Sequence, residues 1–99
     1  MAIGLALLGA LPAAGAQGLL NLRELAQRCM AGAEAAASCK PFLDTSTRLK
    51  NQAEAAKSWR CYTALLGYEA QVMASRTWPG ASPEQAGYGE LELECPALR

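Results

Sequence analysis

Four cysteines and no histidine set the terms on which this 99-residue chain can fold. Cys29, Cys39, Cys61 and Cys95 are separated by nine, twenty-one and thirty-three residues, with no Cys-x-x-Cys pair. A zinc site would need all four thiolates and a short chelating loop that is missing, so no metal ligand set is expected. An even number of cysteines in a short chain reads instead as two disulfides, the covalent support that a domain with a modest core commonly uses. That reading requires an oxidising compartment.

The first residues point to one. Met1 to Ala16 carry no charge, an apolar run extends from Ile3 to Leu11, Pro12 follows, and the segment closes on Ala14-Gly15-Ala16. This is the layout of a signal peptide spanning residues 1–16, with cleavage before Gln17. An apolar run of about ten residues is half of what a membrane-spanning helix needs, so no stable membrane anchor is expected. All four cysteines lie beyond the cleavage site, which leaves residues 17–99 as a single domain of a periplasmic or secreted protein.

Within that domain the apolar spacing is helical. Leu22, Leu25, Ala26, Cys29, Met30 and Ala33 recur at three- and four-residue steps, predicting a first helix over Leu22–Ala37 with Asn21 and Glu24 as a capping box and Gly32 as a weak point. Ser38-Cys39-Lys40-Pro41 reads as a break, because the residue before a proline is pushed out of helical geometry while proline suits a first turn. A second helix is expected from Pro41, or from Asp44, to Ala56. A third, over Trp59–Arg76 with Ser58 as its cap, has no strong break before it, which leaves open a single bent helix.

From Thr77 onward Trp78-Pro79-Gly80, Ser82-Pro83 and Gly87-Tyr88-Gly89 are turn-forming, and Glu90-Leu91-Glu92-Leu93-Glu94-Cys95 alternates with a strand period. Residues 77–99 are therefore read as a turn-rich arm laid over the helices with Leu91, Leu93 and Cys95 facing inward, a short final helix starting near Ser82-Pro83-Glu84 being the alternative. The expected fold is all-α, a small disulfide-stapled bundle of about three helices with an extended or irregular C-terminal arm. If the first helix runs to Ala37, Cys29 lies roughly 12 Å before its end, and Cys39 would have to double straight back to reach it. The preferred pairing is then Cys29 with Cys61 and Cys39 with Cys95.

Formal net charge is zero. Residues 22–76 are slightly basic and residues 77–99 acidic, neither at the density of a nucleic-acid-binding or polybasic membrane surface. Without histidine the commonest general base and every imidazole triad are excluded. Ser46 or Ser58 with Lys50 or Lys57 reads as solvated surface, and Glu90, Glu92 and Glu94 as one solvated edge of the arm. No phosphate-cradling loop or cofactor motif is present. The expectation is a protein that is not an enzyme and holds no cofactor. Among the aromatics, Tyr62 and Trp59 are assigned to the core, while Trp78 and Tyr88, on loops beside glycine and proline, are the candidates for an exposed partner-binding surface.

The uncharged leader, the Leu-rich first helix carrying Leu22, Leu25 and Cys29, then Cys39, Cys61 and the closing Cys95-Pro96 resemble the Tai/Rap-type immunity proteins of bacterial type VI secretion. That family tends to carry Gly-Tyr after its second cysteine, where this chain has Pro41-Phe42, and a proline after its third, where this chain has Tyr62-Thr63. The resemblance implies a periplasmic helical protein that binds and blocks a peptidoglycan amidase effector, with no catalytic residue of its own; a homodimer is compatible with it. The alternative from the residues alone is a periplasmic structural or chaperone-like protein that takes apolar segments into a helical groove.

Overall fold

A computed structural model of the chain describes residues 18–31 and 35–99; the signal-peptide reading and its cleavage site lie outside them. Every regular element among the described residues is helical: α1 over residues 18–31, α2 over Ala35–Ala55, α3 over Trp59–Ser75, α4 over Tyr88–Glu94 and a closing 3-10 turn over Pro96–Leu98.

The three long helices share one construction. Buried positions step by three and four residues through Leu19, Leu22, Ala26 and Cys29 on α1, through Cys39, Phe42, Ser46, Leu49 and Ala53 on α2, and through Cys61, Leu65, Tyr68, Val72 and Ser75 on α3. That is the spacing of a narrow seam between nearly antiparallel helices. The directions follow from the contacts. Cys29 is bonded to Cys39 while Gly18 approaches Leu49, so α2 runs back along α1. Ser46 meets Glu69 while Ala53 and Cys61 line a common cavity, so α3 runs back along α2. Tyr68 faces Tyr88 and Cys61 is bonded to Cys95, so the short α4 runs back along α3.

Several sequence expectations change here. The first helix includes Gly18 to Asn21, so Asn21 is helical rather than a cap, and α2 begins at Ala35 instead of Pro41 or Asp44; the Gly32 reading lies outside the described residues. Pro41 sits inside α2. It leaves the carbonyl of Ala37 without its usual partner, a loss of up to about 3 kcal/mol in a helix interior that the continuous buried seam of α2 offsets. Because α2 runs back along α1, Cys29 and Cys39 are brought opposite each other, Cα to Cα 4.4 Å. The pairing is Cys29–Cys39 and Cys61–Cys95, not the crossed pairing expected. The two bridges agree with the oxidising environment inferred from the cysteine count.

Helices α2 and α3 are separate, and the stop between them is specific. Lys57 adopts a left-handed backbone, φ 56°. Its N–H donates to the carbonyl of Glu54 at 2.9 Å, and that of Ser58 donates to the carbonyl of Ala53 at 2.8 Å. These are the two bonds of a Schellman ending, with lysine where glycine is the usual occupant. Ser58 occupies the position before α3 but makes no side-chain cap bond. Because a side chain in left-handed geometry costs about 1 kcal/mol, Lys57→Gly should raise stability by roughly 0.5 to 1 kcal/mol in urea denaturation. A loss would mean that the Lys57 side chain supports the fold by contacts of its own.

The arm is also helical where an extended segment was expected. Tyr88, Leu91 and Cys95 are buried at steps of three and four, and Leu93 is 75% exposed, pointing away from the core it was assigned to. Glu90 and Glu94 consequently share one face of α4, and Glu92 lies elsewhere.

Candidate interaction surface

Residues 76–87 link α3 to α4 as a series of tight turns. Trp78 donates its N–H to the carbonyl of Ser75 at 2.9 Å, Ala81 to Trp78 at 3.1 Å, Ala86 to Ser82 at 3.1 Å and Tyr88 to Pro83 at 3.2 Å. The backbone N–H of Gln85 also reaches the Ser82 hydroxyl at 3.2 Å. Gly80 and Gly87 hold positive φ values of 75° and 109°, conformations that glycine takes without strain. Pro83 and Ala86 are buried beneath the turns. The link is therefore a folded cap with its own anchors.

Two anchors tie it to the helices. Glu84 accepts a charge-assisted hydrogen bond from the Nε of Arg23 on α1, and the guanidinium of Arg23 lies 5.9 Å from the centre of the Tyr88 ring. Tyr88 in turn begins an aromatic row: its ring centre is 6.2 Å from that of Tyr68 on α3, which is 6.0 Å and edge-on from Phe42 on α2. All four helices thus meet around one column of rings. Burial drives the Tyr68 phenol above its ordinary value, with the Glu84 charge adding to the shift, and its hydroxyl has no protein partner.

The Arg23 hydrogen bond holds the Glu84 carboxyl below its ordinary value of 4.5. A carboxylate depressed in the folded state contributes stability above its unfolded pKa and loses it as pH falls through the folded one. The cap should accordingly loosen from α1 as pH drops below about 4.5, by a small amount because both side chains are more than a third exposed. Carbon-13 titration of the Glu84 carboxyl checks this: its midpoint should lie below the ordinary carboxyl value and return upward in Arg23→Ala.

The two residues singled out for partner contact separate. Trp78 is 62% exposed at the outer edge of the cap, whereas Tyr88 is 5% exposed and belongs to the core. Exposure of Tyr88 was inferred from its glycine neighbours, but those glycines lie at and just after the left-handed turn that starts α4, and the ring follows the buried seam of that helix. Conversely Trp59, assigned to the core, is 56% exposed and meets Tyr62 edge-on at 6.0 Å. Leu66, two turns further along α3, is also exposed. Trp59 lies two residues before Cys61, about 200° around a helix from the buried seam, and that angle was the available signal.

The polar candidates resolve differently. Ser46 is buried and its hydroxyl donates to Oε1 of Glu69 at 2.8 Å, while Lys50 pairs with the same oxygen at 2.8 Å. The solvated-surface reading of Ser46 is corrected: the trio joins α2 to α3. Lys50 is engaged by Glu69 rather than poised on the serine, so the arrangement supplies no activated nucleophile. Among the described residues no group of three or more histidine, cysteine or acidic side chains could hold a metal ion, and no helix is long and apolar enough to cross a membrane.

Two of the concavities lie among the described residues. A polar cleft of about 330 Å³ lies between α3 and the start of α4, bordered by Thr63, Gln71 and Glu90 and left open by Gly67 and Gly87. A predominantly apolar cavity of about 280 Å³ lies at the opposite end, between the end of α2, the start of α3 and the 3-10 turn. Comparison of the chain with protein-family models, with curated proteins and with solved structures finds no match.

Proposed function

We propose that this chain is a non-enzymatic protein-binding module of an exported, oxidising compartment, and that it grips its partner through the Trp78 cap. The observation that carries the reading is the contrast within the cap itself. Trp78 is largely exposed although every turn around it is hydrogen-bonded and the segment is held down through Pro83, Ala86 and the Arg23–Glu84 pair. A tryptophan presented on a rigid turn loses little conformational freedom on docking, and such residues dominate interface energies. Glu90, exposed on α4 just beyond the cap, favours a partner with basic charge nearby.

The specific form of this reading is an immunity-type inhibitor in the periplasm that blocks a peptidoglycan amidase. It rests on the resemblance in cysteine order and on the exposed cap. The test is capture of such amidases from periplasmic or effector preparations by the oxidised protein. Trp78→Ala should weaken the complex by about 2 kcal/mol or more, roughly thirtyfold, with helicity unchanged. A folded protein that neither binds nor inhibits any of these amidases would sink the inhibitor reading.

A second reading, a chaperone-like protein taking apolar segments, is favoured by the apolar cavity at the far end of the bundle. It is distinguished by suppression of client aggregation that survives Trp78→Ala.

A further inference from the structure

The two disulfides sit in different surroundings. Cys29 and Cys39 are each 1% exposed, and the thioether of Met73 lies 3.9 Å from the sulfur of Cys29. Cys61 and Cys95 are nearly as buried, at 3% and 2%, but both line the apolar cavity of about 280 Å³, together with Ala53 near the end of α2, Ala56 just beyond it, and Pro96 and Ala97 from the 3-10 turn. The cavity is partly open to solvent and large enough for a small organic molecule; an enclosed space of about 150 Å³ already admits benzene. We infer that this cavity is the entry route by which a small thiol reaches Cys61–Cys95, making that bridge the exchangeable one and its reduction the release of the C-terminal α4 segment.

The chemistry is ordinary thiol–disulfide exchange with a dithiol as the reductant. A thiolate of the dithiol attacks one of the two sulfurs, the Cys61–Cys95 bond breaks, and the other cysteine leaves as a thiolate. The second thiol of the reductant then displaces the protein sulfur from the mixed disulfide. The reductant departs as a disulfide, and the protein has gained two electrons and two protons as two thiols. The rate depends on access of the attacking sulfur, which the cavity provides at this bridge.

The consequence follows from what holds α4. It is seven residues long, far below the roughly twelve to fifteen that an isolated helix needs. Its buried attachments are Tyr88, Leu91 and Cys95. Breaking the bond at Cys95 removes the covalent end of that set and leaves the 3-10 turn, which forms one wall of the cavity, attached by the packing of Leu98. At the other bridge, Cys29 and Cys39 face each other across one helical hairpin, only ten residues apart in sequence, so a broken bond there is held in place to re-form.

The test is brief exposure of the native, full-length oxidised protein to limiting dithiothreitol, followed by iodoacetamide and peptide mass mapping. Cys61 and Cys95 should be alkylated about tenfold faster than Cys29 and Cys39. Ala97→Trp, which fills the cavity mouth, should slow reaction at Cys61–Cys95 about fivefold and leave the other bridge unaffected; Ala56→Leu serves where the tryptophan prevents folding. Hydrogen exchange of the partly reduced protein should show loss of protection over residues 88–94 with α2 and α3 retained. Equal rates at the two bridges, earlier reduction of Cys29–Cys39, or no effect of filling would overturn the route, and retained protection of α4 would overturn the release. No partner enters the experiment, so its outcome is separate from that of the binding reading.

Discussion

Replacing Cys61 and Cys95 together by alanine should lower stability by about 4 kcal/mol, and replacing Cys29 and Cys39 together by about 3 kcal/mol. The difference comes from the chain each bridge encloses, thirty-four residues of separation against ten, because the closure entropy removed from the unfolded chain grows with the logarithm of loop length. For a domain of this size the larger loss corresponds to a fall of roughly 15 to 30 °C in melting temperature. Small domains have only about 5 to 15 kcal/mol in total, so a chain without either bridge should be unfolded or nearly so at 37 °C. Thermal and urea denaturation of the two double variants measures both effects. Equal losses would show that native packing around the sulfurs, and not loop closure, governs the contribution of each bridge. A loss below about 1 kcal/mol at Cys61–Cys95 would mean that α4 is held by Tyr88 and Leu91 alone.

The disulfides also show how far this fold was legible from residues. Two bridges and an all-helical body followed from cysteine count and apolar spacing, whereas the stop between α2 and α3 stayed open, because a lysine carries no signal of a left-handed ending and Ser58 makes no side-chain cap bond. The pairing did not follow either. Between Cys29 and Cys39 the sequence is mostly alanine, strong in helix propensity but without apolar contrast, so periodicity cannot locate the boundary between two helices there. Extending the first helix through Ala37, which belongs to α2, excluded Cys29 and Cys39 from each other. Pro41 misled in the same direction. Its local preference for a helix start is overridden by the seam of Cys39, Phe42, Ser46, Leu49 and Ala53 that passes beneath it, and a serine at a core position makes that seam hard to see.

At the candidate site the missing information was mainly angular. In the segment Glu90 to Cys95 the alternation suits a strand, yet Tyr88, Leu91 and Cys95 fit a helix equally well, and seven residues are too few to separate the two periods. Packing against α3 decides it. Trp78 was recognisable because turn-forming residues surround it, whereas Tyr88 has similar neighbours and the opposite fate, since nothing local reveals that α4 turns its ring toward Tyr68 and Arg23. The Arg23–Glu84 pair joins residues far apart in sequence, across a reversal that local patterns do not report.

Phe42→Ala should cost about 3 to 5 kcal/mol, the largest loss expected from a single core truncation in this chain. Phe42 is fully buried and is the only phenylalanine. It stands at the α2 end of the row that continues through Tyr68 to Tyr88, so its removal opens a cavity next to the Tyr68 ring, which is already packed against Tyr88 and cannot collapse freely into it. The damage should also travel. With Phe42 gone the Tyr68 ring loses its edge-on partner, and near-ultraviolet dichroism from the tyrosines should weaken while far-ultraviolet helicity is kept at low temperature. Tyr68→Phe is the informative control in the same row: it removes a buried hydroxyl that has no protein partner and keeps the ring, so it should be neutral or stabilising by up to about 1 kcal/mol. Urea denaturation of the two variants separates packing from polarity. A small loss for Phe42→Ala with a large one for Tyr68→Phe would mean that the column is held by the phenol and not by the rings, and that the Arg23–Glu84 anchor of the Trp78 cap depends on Tyr68 directly.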